Sequence, residues 1–320
     1  MYESRIPAPG KFLPVFTAIC TTTFRYQRTA GGTKKKISAA TVIKIENLGF
    51  RVNSQLAELR PTISADGNLL FFICEGHPDN VHSYEVRNSQ DIWYSVRDTV
   101  TGKWQDAVHM GYPFNTAHYN AVYWISPDKN RLLLRNAFVD GDYLGNGVSI
   151  SVRQADGKWS KPNMLRIHNY QKYDRGFQSG AGMTNDGQTL ILYLSEIPKS
   201  YINQVYVCFL QPDGTWTEPK NLGKKINVPG YNQMTPYIAA DGETLYFSSN
   251  RPGGLGDHDI WMSRRLDKSW AKWSEPVNLG APINSKDFDG FFTLDAGGEY
   301  AYLTSSFQSL SLIHISEPTR

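Results

Sequence analysis

Two short acidic segments carry the residue types that most often bind metal ions. "DGDYLGNG" places Asp140 and Asp142 two residues apart, with a glycine at the turn position, as in a calcium-binding loop. Leu144 stands where such a loop has an oxygen donor, and Ser151 stands where it has a bidentate glutamate. The spacing therefore favours a solvated loop over a calcium site.

The second acidic segment, "DHD", groups Asp257, His258 and Asp259. Asp259 precedes Ile-Trp as Asp91 does in "DIWYSV", so we expect its side chain to hydrogen-bond the main chain where a strand begins. A histidine is found at this position only here, which argues against a symmetric metal ring, and we expect no metal and no cofactor. The candidate binding residues are polar side chains of these two loops: Arg251, Asp257, His258, Asp140 and Asp142.

Motifs of the common enzyme classes are missing from the sequence. It contains no His-Glu-x-x-His, no Gly-x-Ser-x-Gly and no P-loop. "GFQSG" has its first glycine one place too far from Ser179 for a nucleophile elbow, so we expect Ser179 in a turn or where a strand begins. Asp287 and Asp289 lie in a polar linker, and spacing alone does not make them a catalytic pair. We therefore expect a protein that is not an enzyme.

A repeat positions all of these segments. The stretches "TISADGNLLFF", "WISPDKNRLLL", "GMTNDGQTLIL" and "YIAADGETLYF" place an aspartate at steps of 62, 58 and 55 residues, and "FTLDAGGEYAYL" begins a fifth copy. A tryptophan that follows Lys or Thr recurs at steps of 55, 57 and 57 residues. Two markers that keep the same interval indicate tandem structural units. The marker residues are Asp66, Asp128, Asp186, Asp241, Trp104, Trp159, Trp216 and Trp273.

Each unit reads as four short antiparallel strands. In the fourth unit these are 236–239, 245–249, 259–264 and 273–279, with Asp-Gly in the first turn, where positive backbone angles are needed. Tandem four-stranded units of about 50–60 residues are typical of β-propeller blades. The sequence therefore predicts an all-β propeller with four recognisable units and the start of a fifth that is truncated. We expect the repeated tryptophans to pack between blades.

The repeat also sets the predicted domain limits. The propeller is predicted at 41–310, with units near 55–115, 116–169, 170–227, 228–284 and a partial unit at 285–310. Asn47-Leu48-Gly49 matches Asn221-Leu222-Gly223 and Asn278-Leu279-Gly280, which are outer strands. Residues 41–54 are therefore either a strand that closes the ring or the remnant of a lost blade. A truncated last unit would leave unpaired strand edges.

Composition narrows the class of protein. A hydrophobic content of 40% with 20% charged residues fits a folded soluble chain. A net charge of +3 on 320 residues gives no support for nucleic acid binding. No apolar run reaches the length of a membrane helix. Residues 1–40 are expected to be disordered or a poor signal sequence, and Cys74 and Cys208 are expected to be buried in strands.

The repeat resembles a known family. "ADGETLYFSSNRPGGLGDHDIW" followed by "WSEPVNLGAPIN" is similar to the PD40, or WD40-like, propeller repeat of OmpA-family bacterial envelope proteins. The resemblance covers about 41–306 and is strongest at 212–306, while the second unit departs from it at Lys129. It implies association with the periplasm or outer membrane, with envelope proteins or peptidoglycan as partners. Residues 311–320, "SLIHISEPTR", resemble a translated sequencing-adapter artefact and are expected to be a non-native tail.

Two classes of function remain open at the level of sequence. Loops of unequal length and polarity on a rigid ring, at 75–90, 136–147, 195–203 and 250–258, favour a non-catalytic scaffold that binds proteins or cell wall. The alternative is a propeller-type enzyme, either a glycan lyase or hydrolase or the propeller half of a serine peptidase whose catalytic domain is missing. A third reading, a purely structural spacer, differs from the scaffold only in lacking a ligand.

Overall fold

The computed structural model describes residues 16–21, 43–82, 89–298 and 300–306. The predicted tail at 311–320 and most of the predicted N-terminal segment lie outside these ranges. Twenty strands and one single-turn helix, α1 (Tyr170–Tyr173), make up the described secondary structure. Within these ranges no helix has the length and hydropathy needed to span a membrane.

The strands are short, and in chain order they fall into groups of four. They are β1 (Phe16–Thr21), β2 (Lys44–Asn47), β3 (Ala57–Ile63), β4 (Leu69–Glu75), β5 (Gln90–Val96), β6 (Val108–His109), β7 (Val122–Ile125), β8 (Arg131–Val139), β9 (Asp142–Val152), β10 (Asn163–Met164), β11 (Gly180–Met183), β12 (Thr189–Leu194), β13 (Gln204–Phe209), β14 (Lys220–Asn221), β15 (Gln233–Ile238), β16 (Thr244–Ser249), β17 (Asp259–Arg264), β18 (Val277–Asn278), β19 (Asp289–Leu294) and β20 (Tyr300–Ser305).

Five antiparallel sheets of four strands form the blades of a β-propeller. Blade 1 is β3–β6, blade 2 is β7–β10, blade 3 is β11–β14 and blade 4 is β15–β18. Blade 5 has the order β19-β20-β1-β2 and so joins strands from both ends of the described chain. The innermost strands β3, β7, β11, β15 and β19 contact one another in succession, and β19 also contacts β3. The ring is therefore closed. The strands of blades 1 to 4 lie within 55–115, 116–169, 170–227 and 228–284, whereas blade 5 takes only β19 and β20 from 285–310 and adds β1 and β2 from the N-terminal part of the chain.

Blade 5 corrects two expectations about the ends of the propeller. We expected the last unit to expose unpaired strand edges, but β20 pairs with β1 along its whole length, from Tyr300 opposite Thr21 to Ser305 opposite Phe16. β1 in turn pairs with β2, so β2 is the outer strand of a four-stranded blade. Residues 16–21, which we placed in a disordered or leader segment, thus form a strand, because β20 has an open edge that needs a hydrogen-bonding partner.

The hydrophobic core consists of five clusters, one between each pair of adjacent blades. Between blades 2 and 3, for example, Leu133 and Val148 pack with Leu190 and Leu192. Equivalent clusters lie between blades 3 and 4, 5 and 1, 4 and 5, and 1 and 2. Because a single sheet would leave both of its apolar faces in water, burial of these faces against neighbouring blades is what stabilises the ring.

The four repeated tryptophans occupy equivalent places. Each forms an antiparallel bridge with the residue just after the third strand of its blade, at Arg97, Arg153, Leu210 and Arg265. Each side chain also packs towards the preceding blade: Trp104 contacts Tyr302 edge-on at 6.2 Å, and Trp159 contacts Phe114 at 6.0 Å. Trp104, Trp216 and Trp273 are buried, whereas Trp159 is only partly buried.

The repeated aspartates build the hairpin between the first two strands of a blade. The Asp66, Asp128 and Asp186 carboxylates accept the main-chain N–H of the residue two places on, at 3.0 to 3.2 Å. Asp241 accepts the N–H groups of Glu243 and Thr244 at 2.9 and 2.8 Å. The following residue has a positive φ in each case, including Lys129 at 58°, which replaces the glycine of the other turns.

Candidate functional site

The propeller has two faces with different connections. The turn face carries the hairpins between the first and second and between the third and fourth strands of blades 1 to 4, and the turn between β19 and β20 of blade 5. The loop face carries the connections between second and third strands and those from one blade to the next. In the described residues the loop face comprises 48–56, 76–82, 89, 110–121, 140–141, 165–179, 195–203, 222–232, 250–258, 279–288 and 306.

Buried asparagines anchor the loop face to the blades. The Asn284 side chain accepts the Ile260 N–H at 2.8 Å and donates to the Ile260 carbonyl at 2.9 Å. Asn227 makes the same pair of hydrogen bonds to Val205, and Asn115 makes it to Ile92. Each amide thus ties the segment that leads to the next blade onto the third strand of its own blade, and this pairing fixes where each loop begins.

Two buried aspartates add to this anchoring. The Asp91 carboxylate accepts the Val81 N–H at 2.7 Å, the His109 ring Nε2 lies 2.8 Å away, and the Asn120 amide donates at 2.9 Å. Asp259 accepts the Leu255 N–H and, at 2.8 Å, the Asn278 amide. Asp259 therefore caps the start of β17 as expected, and its carboxylate is committed to the protein interior.

Blade 3 exposes apolar side chains on this face. Phe177, Ile197, Tyr201 and Ile202, here called the blade 3 patch, are 52%, 61%, 45% and 40% exposed. The Phe177 and Tyr201 rings lie 4.6 Å apart. Main-chain hydrogen bonds of 2.9 Å, from Phe177 N to the Ser200 carbonyl and from Lys199 N to the Arg175 carbonyl, join the two loop segments that carry the patch. The rings are thus exposed on a backbone that is held in place.

Blade 2 adds a second set of rings beside its hairpin. The His118 and Tyr143 rings stack at 3.5 Å, and the Arg135 guanidinium lies 5.6 Å from the centre of the Tyr119 ring. Leu144 beside them is exposed. Aromatic side chains are enriched in protein interfaces because they bury a large area at low entropic cost.

Arg251, a predicted binding residue, points into the protein. Its guanidinium donates to the main-chain carbonyls of Lys225, at 3.0 Å, and Ile226. It also lies 4.7 Å from the Phe247 ring centre and 5.4 Å from that of Trp261. Burial lowers its pKa to about 10. Arg251 therefore ties the blade 4 loop to blade 3, and its binding role stays a prediction that this geometry does not favour.

Asp257 and His258 lie at the edge of the same loop. The Asp257 carboxylate is exposed and its Oδ1 is 3.2 Å from the His258 Nδ1. Hydrogen bonding with His258 lowers the pKa of this carboxyl. The His258 ring packs 5.5 Å from Phe288, and its Nε2 lies 3.2 Å from the Asn232 amide. Asp257 is thus available to a partner, while His258 mainly joins blades 4 and 5.

The segment containing Asp140 and Asp142 is not the long loop that we predicted at 136–147. Strands β8 and β9 continue through it and meet in a two-residue turn at Asp140 and Gly141, with φ of 51° and 86°. Such angles form the tight hairpin turn that suits the twist of antiparallel strands. The two aspartates therefore lie beside a hairpin. Among the described residues no group of three or more metal-ligating side chains comes together.

Ser179 and Asp289 also have structural roles. Ser179 lies just before β11, as expected, and its hydroxyl donates to Asp174 at 3.3 Å. Burial raises the pKa of the Asp174 carboxyl, while hydrogen bonds from Tyr170 and Ser179 oppose that rise. Asp289 is buried and accepts the Ser285 N–H at 2.6 Å. Both carboxylates hold connections between blades.

Sequence reasoning missed a cluster on the propeller axis. Arg60, on β3, lies in the channel that the innermost strands surround, and its guanidinium Nη2 donates to the Tyr193 hydroxyl at 2.7 Å. The Cζ atom of Arg60 lies 4.4 Å from the Phe291 ring centre, 4.8 Å from that of Tyr123 and 6.0 Å from that of Tyr193. We call these four residues the axial cluster. Its only sequence signal was an arginine at an innermost position that is not basic in the other units.

No family profile matches the sequence, and no curated protein matches it significantly. Among solved structures, a candidate TolB protein of Agrobacterium tumefaciens is 15% identical, covers 91% of this chain and 78% of its own, and has a TM-score of 0.45. The periplasmic gluconolactonase PpgL of Pseudomonas aeruginosa is 15% identical over 90% and 75%, with a TM-score of 0.44.

A third similar structure belongs to a different class of protein. It is a thermostable family-43 glycoside hydrolase, which is 15% identical over 78% of this chain and 84% of its own, with a TM-score of 0.41. At these identities and scores no activity is transferred from any of the three proteins to this chain.

Proposed function

We propose that this chain is a non-catalytic scaffold of the bacterial cell envelope that holds a protein partner on its loop face. The single observation that supports this most is the blade 3 patch, where four apolar side chains are exposed on hydrogen-bonded loops. The envelope location rests on the PD40-like repeat at 212–306 and its resemblance to OmpA-family proteins. Peptidoglycan is the other occupant that this resemblance implies.

Exposing the apolar side chains of the patch to water is unfavourable in free energy. Each Å² of apolar surface removed from water contributes about 25 cal/mol, so exposed Phe177, Ile197, Tyr201 and Ile202 side chains would gain free energy in an interface. A partner would meet rings that are already positioned, because the Phe177 and Lys199 N–H groups fix both loop segments. Little conformational entropy would then be lost on binding.

Charges beside the patch define the partner's chemistry further. Arg175 and Lys199 are exposed in the two loop segments that carry the patch. Glu196, the neighbouring carboxylate, accepts the Tyr206 hydroxyl at 2.6 Å. The partner surface that fits is therefore an apolar cluster flanked by carboxylates, since charge complementarity orients a complex and speeds its association.

The predicted loop residues extend this surface around the ring. Asp257 is exposed on blade 4, and Asp140 and Asp142 are exposed at the blade 2 hairpin. Their binding roles remain predictions. Because these carboxylates lie away from the basic residues of blade 3, they would contact a different part of a large partner or a second one.

Site-specific photocrosslinking in cells that carry the full-length gene tests this proposal. A crosslinker at Ile197 is expected to capture an envelope protein, whereas a crosslinker at Leu266, a 63% exposed residue on the turn face, is not. Replacing both Phe177 and Tyr201 by serine should weaken binding of the captured protein by about 30-fold or more, as expected for interface hot spots.

Three outcomes would contradict the proposal. Equal capture from Ile197 and Leu266 would remove the loop face as the binding surface. Capture of peptidoglycan strands alone would replace the protein partner with cell wall. Turnover of a polysaccharide by the purified chain would contradict the non-catalytic role and would favour the alternative of a propeller glycan lyase or hydrolase.

A further inference from the structure

We propose that the axial channel binds a carboxylate, which pairs with the guanidinium of Arg60. This site lies on the propeller axis and is separate from the blade 3 patch. Its ligand is either a small free acid or the carboxylate end of an extended chain, because both present the same charged group.

Arg60 brings a positive charge to the axial channel. Within the part of the chain that the structure describes, no carboxylate forms an ion pair with this guanidinium, and its hydrogen bond to a side chain goes to the neutral Tyr193 hydroxyl. A guanidinium has five N–H donors in a planar fork that matches the two oxygens of a carboxylate. Most of this binding capacity is therefore left for a ligand.

The position of the Arg60 charge is fixed by its neighbours. The rings of Tyr123, Phe291 and Tyr193 surround the guanidinium at 4.4 to 6.0 Å, and cation–π contacts hold it without neutralising it. Tyr193 reaches the axis only because Gly180 has no side chain, since a Cβ at Gly180 would lie 2.4 Å from the Tyr193 ring. The hydrogen bond from Arg60 to Tyr193 thus connects blade 1 with blade 3, although the two residues are 133 positions apart in the chain.

The backbone around the channel is irregular at Arg60 and at two equivalent positions. In three blades the pairing register of the first two strands shifts at a β-bulge. Its first unpaired residue is Arg60, Thr235 or Phe291. All three have a left-handed backbone, with φ of 53°, 49° and 55°. This conformation is unfavourable for β-branched and bulky residues and is found where a site is held in a required geometry. The bulge at Arg60 sets the direction in which the guanidinium leaves β3.

The channel also provides space beside this charge. A cavity of about 70 Å³ extends from Arg60 to the turns that follow the innermost strands, where it is lined by Ala65, Asn185, Ala240 and Ala296. One water needs only about 10–15 Å³ measured in this way, so the cavity has room for a small carboxylate of a few heavy atoms. Three of these four lining residues are alanines, so their side chains take little of the space at this end of the channel.

A two-dimensional NMR titration of the side-chain N–H of Arg60 in the whole chain tests this inference. The probes are sodium acetate and N-acetyl-trialanine with either a free or an amidated C-terminus. We expect acetate or the free-acid peptide to shift the Arg60 resonance with saturation, and the amidated peptide to leave it unchanged. Tighter binding of the free-acid peptide would identify a chain terminus as the source, and binding of acetate alone would identify a small acid.

Variants then test the assignment to Arg60. Arg60→Gln should weaken binding of the better probe at least tenfold, because it removes a charge-assisted pair of hydrogen bonds. Tyr193→Phe keeps the ring and releases one donor, so binding should be retained or strengthened. Arg97→Gln is the matched control, since Arg97 also lies over a ring, that of Tyr300 at 4.9 Å, but on the turn face.

The inference is wrong if no carboxylate probe shifts the Arg60 resonance of the unmodified chain, a result that does not depend on any variant folding. It is also wrong if Arg60→Gln and Arg97→Gln bind the probe equally well. Loss of acetate binding would leave the crosslinking result at Ile197 unchanged, so this site and the loop-face proposal fail independently.

Discussion

The two faces of the propeller are built from the same blades but follow different rules. On the turn face, Asp66, Asp128, Asp186 and Asp241 form the same side-chain to main-chain hydrogen bonds in four successive hairpins. On the loop face the second and third strands are joined by a two-residue turn in blade 2 and by a nine-residue segment, 195–203, in blade 3. Repetition therefore marks the surface that supports the fold, and variation marks the surface that is free to recognise a partner.

Buried asparagines lie where the regular blades meet the variable connections of the loop face. Asn115, Asn227 and Asn284 fix the third strand of their blades to the start of the next connection. These anchoring bonds are made to main-chain atoms, so they do not depend on which side chain the bonded residue of the third strand carries. Blade 2 lacks this bond: the corresponding Asn169 has a φ of 55° and precedes α1. Exposed rings are found next to this exception, at Phe177 and Tyr201, and also in other loop-face connections, at Phe50 and Tyr112.

The largest expected effect is on stability, and it compares how much the repeated tryptophan contributes to the free energy of unfolding in two different blades. Trp273→Ala should lower the free energy of unfolding by about 3–5 kcal/mol, because it leaves a cavity between blades 3 and 4. Trp159→Ala should cost clearly less, since Trp159 is only partly buried. Urea unfolding followed by circular dichroism measures both changes, and equal losses would contradict this account of the tryptophans.

A smaller effect should separate the two faces directly. Asp241→Ala removes two main-chain hydrogen bonds from a turn-face hairpin and should lower stability by about 1 kcal/mol. Asp257→Ala removes an exposed carboxylate from the loop face and should change stability by less than about 0.5 kcal/mol. Shifts in the urea midpoint provide the test. A larger loss for Asp257 would mean that the loop face also supports the fold.

Buried Glu58, at the loop-face end of β3, predicts a pH effect of one sign. Burial raises the pKa of its carboxyl above the ordinary 4.5, so the folded protein holds the Glu58 proton more tightly than the unfolded chain does. Stability from this group is complete below pH 4.5 and is lost as the pH rises through the folded-state pKa. Glu58→Gln should therefore stabilise the protein at pH 7 by up to about 1 kcal/mol, with no gain near pH 4. Thermal unfolding of both proteins between pH 4 and pH 7 measures this difference. A gain that is larger at pH 4 than at pH 7 would contradict the expected sign.

The smallest effect is expected at Asp66 on the turn face, where the contribution to stability should change with pH in the direction opposite to that of Glu58. Its burial opposes ionisation, but hydrogen bonds from Lys129 and Ser64 outweigh it and lower its pKa from 3.8 to about 2. Stability from this carboxylate is present above pH 3.8 and is lost as the pH falls towards 2. Asp66→Asn should cost less than about 1 kcal/mol at pH 7, because water screens the exposed pair with Lys129. Unchanged destabilisation at pH 2.5 would count against this pairing.

Much of the fold could be predicted because its determinants are local. An Asp-Gly pair fixes a hairpin within five residues, and a tryptophan at a constant interval marks one blade after another. The same local reasoning failed at 136–147, where polar residues suggested a long loop but the strands continue to a tight turn at Asp140 and Gly141. Local sequence also gave no sign that Arg251 is buried, because its burial depends on contacts with the Lys225 and Ile226 carbonyls of another connection.

The sequence by itself determined the number of hairpin units, the spacing of the blades and the burial of Cys74, because each depends on residues close together in the chain. Only the tertiary structure decided that β1 completes blade 5, that Phe177 and Tyr201 form one exposed surface, and that Arg60 lies among three rings. These features join strands from different blades or from opposite ends of the chain. No periodic signal encodes such contacts, since they exist only once the ring has closed.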